Sequence, residues 1–198
     1  MNGQQGRQHL VRELIAMRPP SAVIETGTYL GVSTEYFALL TGAPVWTVES
    51  QKPYYRSAQR RFRENTHVHV SLASSPDFLR QLTGDGSVPK ERVLFYLDAH
   101  WDANLPLREE IEIIEAGWQD PWVLIDDFQV PGDRDYGYDD YGDGHVLSLD
   151  YLQLSVRWVP LFPTLRGMDE TGARRGCVLL VPPADTDALM KTGLLRQA

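Results

Sequence analysis

The chain has 198 residues, 42% hydrophobic and 23% charged, enough to bury one substantial core but short for two. Its net charge of −8 argues against a broad nucleic-acid surface and favours a small-molecule substrate, because polyanions are held by clustered Lys and Arg. Cys177 is the single cysteine, which excludes an intrachain disulfide and a cysteine zinc cage, and no run approaches the ~18 apolar residues of a membrane span. One domain over residues 1–198 is expected, without a membrane partner. Met1 to Arg7 lack the basic and apolar start of a secretory signal, which points to the cytoplasm, and a homo-oligomer stays open.

Taken in chain order, Leu10, Val11, Leu14, Ile15 and Met17 recur at helical spacing over residues 7–18, and Pro19-Pro20 ends that helix. Ala22 to Glu25 is a short apolar strand. Glycines and threonine then lead into a helix around residues 33–40, with Ser33 or Thr34 as the expected cap. A second strand, residues 45–49, is followed by a helix over 53–63 whose Arg56 to Arg63 spacing fits a wet face. A third strand runs from Val68 to Ala73, ends in Ser74-Ser75 and precedes a helix from Pro76 to about Leu82. Val93 to Leu97 is apolar throughout, as a strand buried on both faces should be. The helix over 106–116 stacks Leu107, Ile111 and Ile114 opposite Arg108, Glu109 and Glu112, and Trp122 to Ile125 is the fifth strand.

Five strand and helix alternations imply a Rossmann-like, doubly wound α/β fold with helices on both faces of a mostly parallel sheet. Beyond residue 128 the pattern gives way to a loop rich in Gly, Asp and Tyr, too poor in aliphatics to be core, whose tyrosines could stack on a substrate. A helix over about 145–154 and strands near 157–162 and 176–181 complete seven strands, the last two as an antiparallel C-terminal pair. Cys177, beside Val178 to Val181, reads as a packed core thiol.

Ligands of open α/β sheets bind beyond the carboxyl ends of the strands, here Glu25, Glu49, Ser74, Asp98 and Asp126-Asp127. So many acids at the tips of apolar strands call for cationic compensation. Gly27 and Gly31 permit a tight turn and close ligand approach, but the spacing Gly27-x-x-x-Gly31 departs from the dinucleotide fingerprint G-x-G-x-x-G, which disfavours NAD. Glu49, at the end of strand two, can accept hydrogen bonds from both ribose hydroxyls of an adenosine. Asp98, Asp126 and Asp127 offer hard oxygen ligands for Mg²⁺, or for Mn²⁺ or Ca²⁺. His100 can serve as a general base near neutral pH, with Asp102 as its rival.

On Glu25-Thr26-Gly27-Thr28-Tyr29-Leu30-Gly31, Glu49 and the strand-end acids, the chain resembles the class I S-adenosylmethionine-dependent methyltransferases over nearly its whole length. The resemblance implies a strand order of 3-2-1-4-5-7-6 and a cofactor site made of Glu25, Gly27, Thr28, Tyr29, Gly31, Glu49, Ser74, Ser75 and Asp98. Glu25 would lie near the methionine moiety, Glu49 on the ribose, and Ser74-Ser75 beside the adenine. The acids after strands four and five are similar to those of metal-dependent O-methyltransferases of the catechol and macrocin types. That likeness implies Asp98, Asp126 and Asp127 as metal ligands, Asp98 and His100 as catalytic groups, and O-methylation of a sugar, phenol or natural product. Cephalosporin-hydroxylase-like proteins share the acid positions, so a metal-dependent oxygenase and a non-catalytic cofactor-binding protein are the rival readings.

Overall fold

The computed structural model describes residue 1, residues 3–101 and residues 105–198. Its architecture is α/β and Rossmann-like, with an antiparallel C-terminal strand pair and eight strands among the described residues instead of the expected seven. The chain divides into two compact units, one formed by Arg18–Pro121 and the other by Met1–Met17 with Trp122–Ala198. No helix among the described residues is long and apolar enough to cross a membrane.

In the unit Arg18–Pro121, β1 (Ala22–Thr26), β2 (Val45–Glu49), β3 (Val68–Leu72) and β4 (Val93–Leu97) are all parallel, in the order β3-β2-β1-β4. Every residue of β1 and β4 is buried, whereas β3, at the edge, keeps only Val68 buried, as expected for a strand with one neighbour. Four helices alternate with these strands: α2 (Val32–Thr41), α3 (Lys52–Phe62), α4 (Ser75–Gly84) and α5 (Leu107–Gly117).

The expected cap of α2 is corrected. Gly31, left-handed at φ 73°, occupies the N-cap position without a side-chain bond, and Ser33 and Thr34 lie buried within the first turn. α4 does start on a serine: Ser74 accepts from the Asp77 N–H, with Pro76 in the first turn, where its missing N–H costs no hydrogen bond. α5 buries Leu107, Ile111 and Ile114 as their spacing predicts, together with Glu110.

The second unit pairs β5 (Trp122–Asp126) antiparallel with β7 (Cys177–Val181), β7 with β6 (Val159–Pro163), and β6 with a two-residue β8 (Leu195–Arg196). α1 (Gln5–Met17) belongs to this unit and buries Leu10, Val11, Leu14, Ile15 and also Arg7, while Met17 is exposed. The helix expected over 145–154 shortens to α6 (Leu149–Leu152), capped by the Ser148 hydroxyl, and a last short helix, α7 (Thr186–Met190), precedes β8. The acidic loop is partly core, against expectation: Tyr136 is buried and donates to the Leu165 carbonyl at 3.1 Å.

Candidate cofactor and active site

The turn after β1 is fixed by backbone packing. Gly27 has φ 87°, and a Cβ placed there would lie 2.2 Å from the Asp98 carbonyl oxygen, so only glycine fits between the ends of β1 and β4. The Asp98 N–H in turn donates to the Thr26 carbonyl at 3.0 Å. Gly31, the second glycine, packs against the Phe62 ring, where a Cβ would meet ring carbons at 2.6 Å. Between them Tyr29 adopts φ 47°, a left-handed conformation that needs support for a residue with a bulky side chain. Glu49 supplies it: its Oε2 accepts from the Tyr29 N–H at 2.8 Å, and its Oε1 from the Gln51 N–H at 2.7 Å. The Tyr29 ring is exposed and meets Tyr54 of α3 edge-on, centroids 4.6 Å apart.

Beneath this loop runs a buried hydroxyl ladder. The Thr28 and Thr47 hydroxyls lie 2.6 Å apart, Thr47 donates to Glu25 Oε2 at 2.7 Å, and the Thr34 hydroxyl donates to the same oxygen. Because Oγ1 of Thr47 spends its proton on Glu25, Thr28 is the donor in the first contact. Glu25 is wholly buried, and burial raises its pKa against the lowering effect of the Ser33, Thr34 and Thr47 hydroxyls. Its other oxygen, Oε1, has no hydrogen-bond partner. Thr28 therefore faces inward, and Glu25 presents one unsatisfied oxygen beside the loop.

At the β3 end, Ser74 exchanges hydrogen bonds with Asp77, donating to Oδ2 at 2.7 Å, so its side chain is committed to the cap. Ser75 is buried, with its hydroxyl turned to Glu110. At the β4 end, His100 Nε2 lies 3.8 Å from Asp98 Oδ1, the imidazole almost fully buried and the carboxylate partly exposed. Asp102, the rival base, lies outside the described residues.

In the other unit, the acids ending β5 have arginine partners. Asp126, expected among the metal ligands, is wholly buried and its Oδ1 is paired with the Arg7 guanidinium, which also reaches the Arg175 carbonyl. Asp127 is left-handed at φ 53° and accepts from Arg175 Nε at 2.8 Å. Arg175 also pairs with Asp139, whose Oδ2 accepts from the Tyr141 hydroxyl at 2.6 Å. Burial and the neighbouring Asp126 charge raise the pKa of Asp127, opposed by Arg175. The cationic compensation that the strand-end acids demanded thus comes, at β5, from two arginines of the chain itself.

No protein-family model and no curated protein matches the sequence. Solved structures do. An O-methyltransferase from Bacillus cereus in complex with SAH is 18% identical, with a TM-score of 0.65, covering 90% of this chain and 80% of that one. The O-methyltransferase TomG from Streptomyces achromogenes, in complex with SAM, is 20% identical, with a TM-score of 0.64 over 89% of this chain and 79% of that one. An rRNA methylase from Streptococcus thermophilus is 17% identical, with a TM-score of 0.55 over 88% of this chain and 95% of that one.

The fold is that of the class I methyltransferases.

Within that fold, the strand orders β3-β2-β1-β4 and β5-β7-β6 reproduce in each unit the order the resemblance implied, with β8 as an addition. Gly27, Tyr29 and Gly31 lie in one loop that Glu49, at the end of β2, holds through the Tyr29 N–H, and Glu25 and Thr28 lie directly under it. Two polar residues escaped the sequence reading. Glu110 and Arg7 both occupy apolar helix stripes, Glu110 three residues after Leu107 and four before Ile114, Arg7 three before Leu10 and four before Val11, and that spacing is the signal that could find them.

Proposed function

We propose that the chain is an enzyme that transfers the methyl group of S-adenosylmethionine to a hydroxyl group of a small molecule. The glycine loop carries the cofactor half: a tight turn at Gly27, with an unsatisfied buried oxygen of Glu25 below it and the Glu49 carboxylate at its lip. The fold shared with O-methyltransferases in complex with SAH and SAM supports the same reading. Glu25 Oε1 suits the ammonium group of a methionine moiety. Glu49 uses two of its roughly four lone-pair positions on the Tyr29 and Gln51 N–H groups and keeps the others for ribose hydroxyls. Ser74 and Ser75, with their hydroxyls committed, offer backbone to the adenine.

The cofactor supplies an electrophilic methyl group on sulfonium. The acceptor proton passes to His100 Nε2, and Asp98, at 3.8 Å, stabilises the imidazolium that results. A divalent cation, Mg²⁺ for preference, would when bound lower the pKa of the acceptor hydroxyl. In the unit Arg18–Pro121 Asp98 is the carboxylate that would hold it; in the other unit Asp126 is neutralised by Arg7 and Asp127 pairs with Arg175.

Calorimetry with S-adenosylhomocysteine tests the cofactor half. Binding by the unaltered chain, weakened at least about tenfold in Glu49→Ala, is expected from the loss of a charged hydrogen-bonding group; absence of binding by the unaltered chain overturns it. For the metal, chelator should abolish methyl transfer and Mg²⁺ restore it, while full activity in chelator leaves metal-free transfer.

A further inference from the structure

α3 and the residue after it carry Lys52, Arg56, Arg60, Arg61 and Arg63, with no acid anywhere from residue 50 to residue 63, in a chain whose net charge is −8. Lys52, Arg56, Arg60 and Arg63 are spaced four, four and three apart, which puts them on one helical face, and all four are exposed. The opposite face buries Ala58 and Phe62. At 1.5 Å per residue the stripe is about 16 Å long.

Local structure accounts for only part of it. Arg61 is tied to the Leu30 carbonyl and to Glu35, and Arg63 to Glu64, but among the described residues Lys52, Arg56 and Arg60 form no ion pair or hydrogen bond. Cations in the last turn complement the helix dipole, which explains Arg60 and Arg61. Lys52 in the first turn opposes it, and like charges four residues apart destabilise a helix. The helix therefore keeps an unfavourable row of positive charge, of which Lys52, Arg56 and Arg60 have no acidic partner among the described residues.

The complementary surface is present in the same sequence. Over residues 132–150 the exposed acids Asp135, Asp140, Asp143 and Asp150 stand against a single arginine, Arg134. We propose that the basic stripe of α3 docks on the acidic segment Asp135–Asp150 of a second copy of the chain. The four exposed acids of that segment match in number, and oppose in sign, the four exposed cations of the stripe. A nucleic acid, with one charge per ~1.7 Å of duplex, would run on past it over the acidic remainder of the protein. At physiological ionic strength the Debye length of about 8 Å screens the repulsion between two acidic bodies while leaving ion pairs in contact. A two-fold arrangement forms the contact twice.

Sedimentation velocity of the full chain provides the test. In 0.05 M NaCl the chain should self-associate, and in 0.5 M NaCl the dissociation constant should rise at least about tenfold. Arg56→Glu with Arg60→Glu should be monomeric in 0.05 M NaCl, as should Asp140→Lys with Asp143→Lys, each with an unchanged circular dichroism spectrum. Mixing the two double variants should restore association, because each keeps the surface the other has reversed. A monomer at every concentration and salt, association that survives the arginine reversal, or a mixture that stays monomeric overturns the proposal. Binding of a fluorescent 20-nucleotide single-stranded oligonucleotide that is lost in the arginine variant, with the chain monomeric throughout, would overturn it in favour of nucleic acid; at about 3.4 Å per nucleotide that probe is well beyond the length of the stripe.

Discussion

Glu110 stores a pH dependence that can be read out by a single isosteric change. The residue is 1% exposed on the buried side of α5, and burial pushes its carboxyl pKa from 4.5 to about 7. The Ser75 and Thr26 hydroxyls beside it lower the value, the charge of Glu109 raises it, and Oε1 completes no hydrogen bond. A carboxyl whose folded pKa is raised holds its proton in the folded state while the unfolded chain has released it. Stability contributed by the neutral group is therefore complete below pH 4.5, falls as pH rises through the interval to about 7, and is level above it. At about 1.4 kcal/mol per pH unit, the interval amounts to about 3 kcal/mol. Glu110→Gln keeps the shape and removes the titration. Urea unfolding of both proteins from pH 4.5 to pH 8 is the assay, at half-unit steps of about 0.7 kcal/mol each. Other titrating groups, Glu25 and Asp127 among them, are common to both proteins and cancel in the difference. The variant should gain about 3 kcal/mol on the parent across the interval and then hold level. A difference that does not change with pH would refute the argument.

Replacing Arg7 by Met removes the guanidinium that pairs with the buried Asp126 and should cost about 3–5 kcal/mol in urea unfolding; the double change with Asp126→Asn should recover most of that. Gly27→Ala forces a Cβ to within 2.2 Å of a carbonyl oxygen at φ 87°, and should lower the melting temperature by an amount equivalent to about 1–3 kcal/mol and weaken S-adenosylhomocysteine binding. Cys177 is buried and its thiol is pushed up to about 11, so iodoacetamide at pH 8 should leave it unmodified in the folded chain and label it in urea. Rapid native labelling would contradict that burial.

The strands were legible because each is a short apolar run closed by turn residues, and β1, β2 and β4 begin and end within a residue of where the sequence put them. The acids at their ends followed from topology, since parallel strands of one winding must end on the same side. What neutralises those acids was not legible. The partners of Asp126 and Asp127 come from Arg7 and Arg175, 119 and 48 residues away, and no local pattern specifies a contact at such separation. Ser33 and Thr34 misled for a related reason: their composition suits a cap, but a buried carboxylate at Glu25 drew the hydroxyls inward and left the N-cap to a left-handed glycine. β8 is two residues long and exists only because β6 offers it an edge, below anything periodicity can detect. Tyr136 escaped because a buried tyrosine needs one acceptor, here a carbonyl from a distant turn, to turn a polar loop residue into core.

The Arg7 to Asp126 pair has a consequence for how the molecule is made on the ribosome. Residues Arg18–Pro121 form an uninterrupted unit, available to fold as soon as they have emerged. The helix that precedes them belongs to the other unit and must wait, its guanidinium solvated, until β5 has been synthesised 119 residues later. Through that interval α1 carries an apolar face, Leu10, Val11, Leu14 and Ile15, with nothing of its own unit to cover it. The N-terminal helix thus reaches its pairing with β5 only after the whole of Arg18–Pro121 has been made.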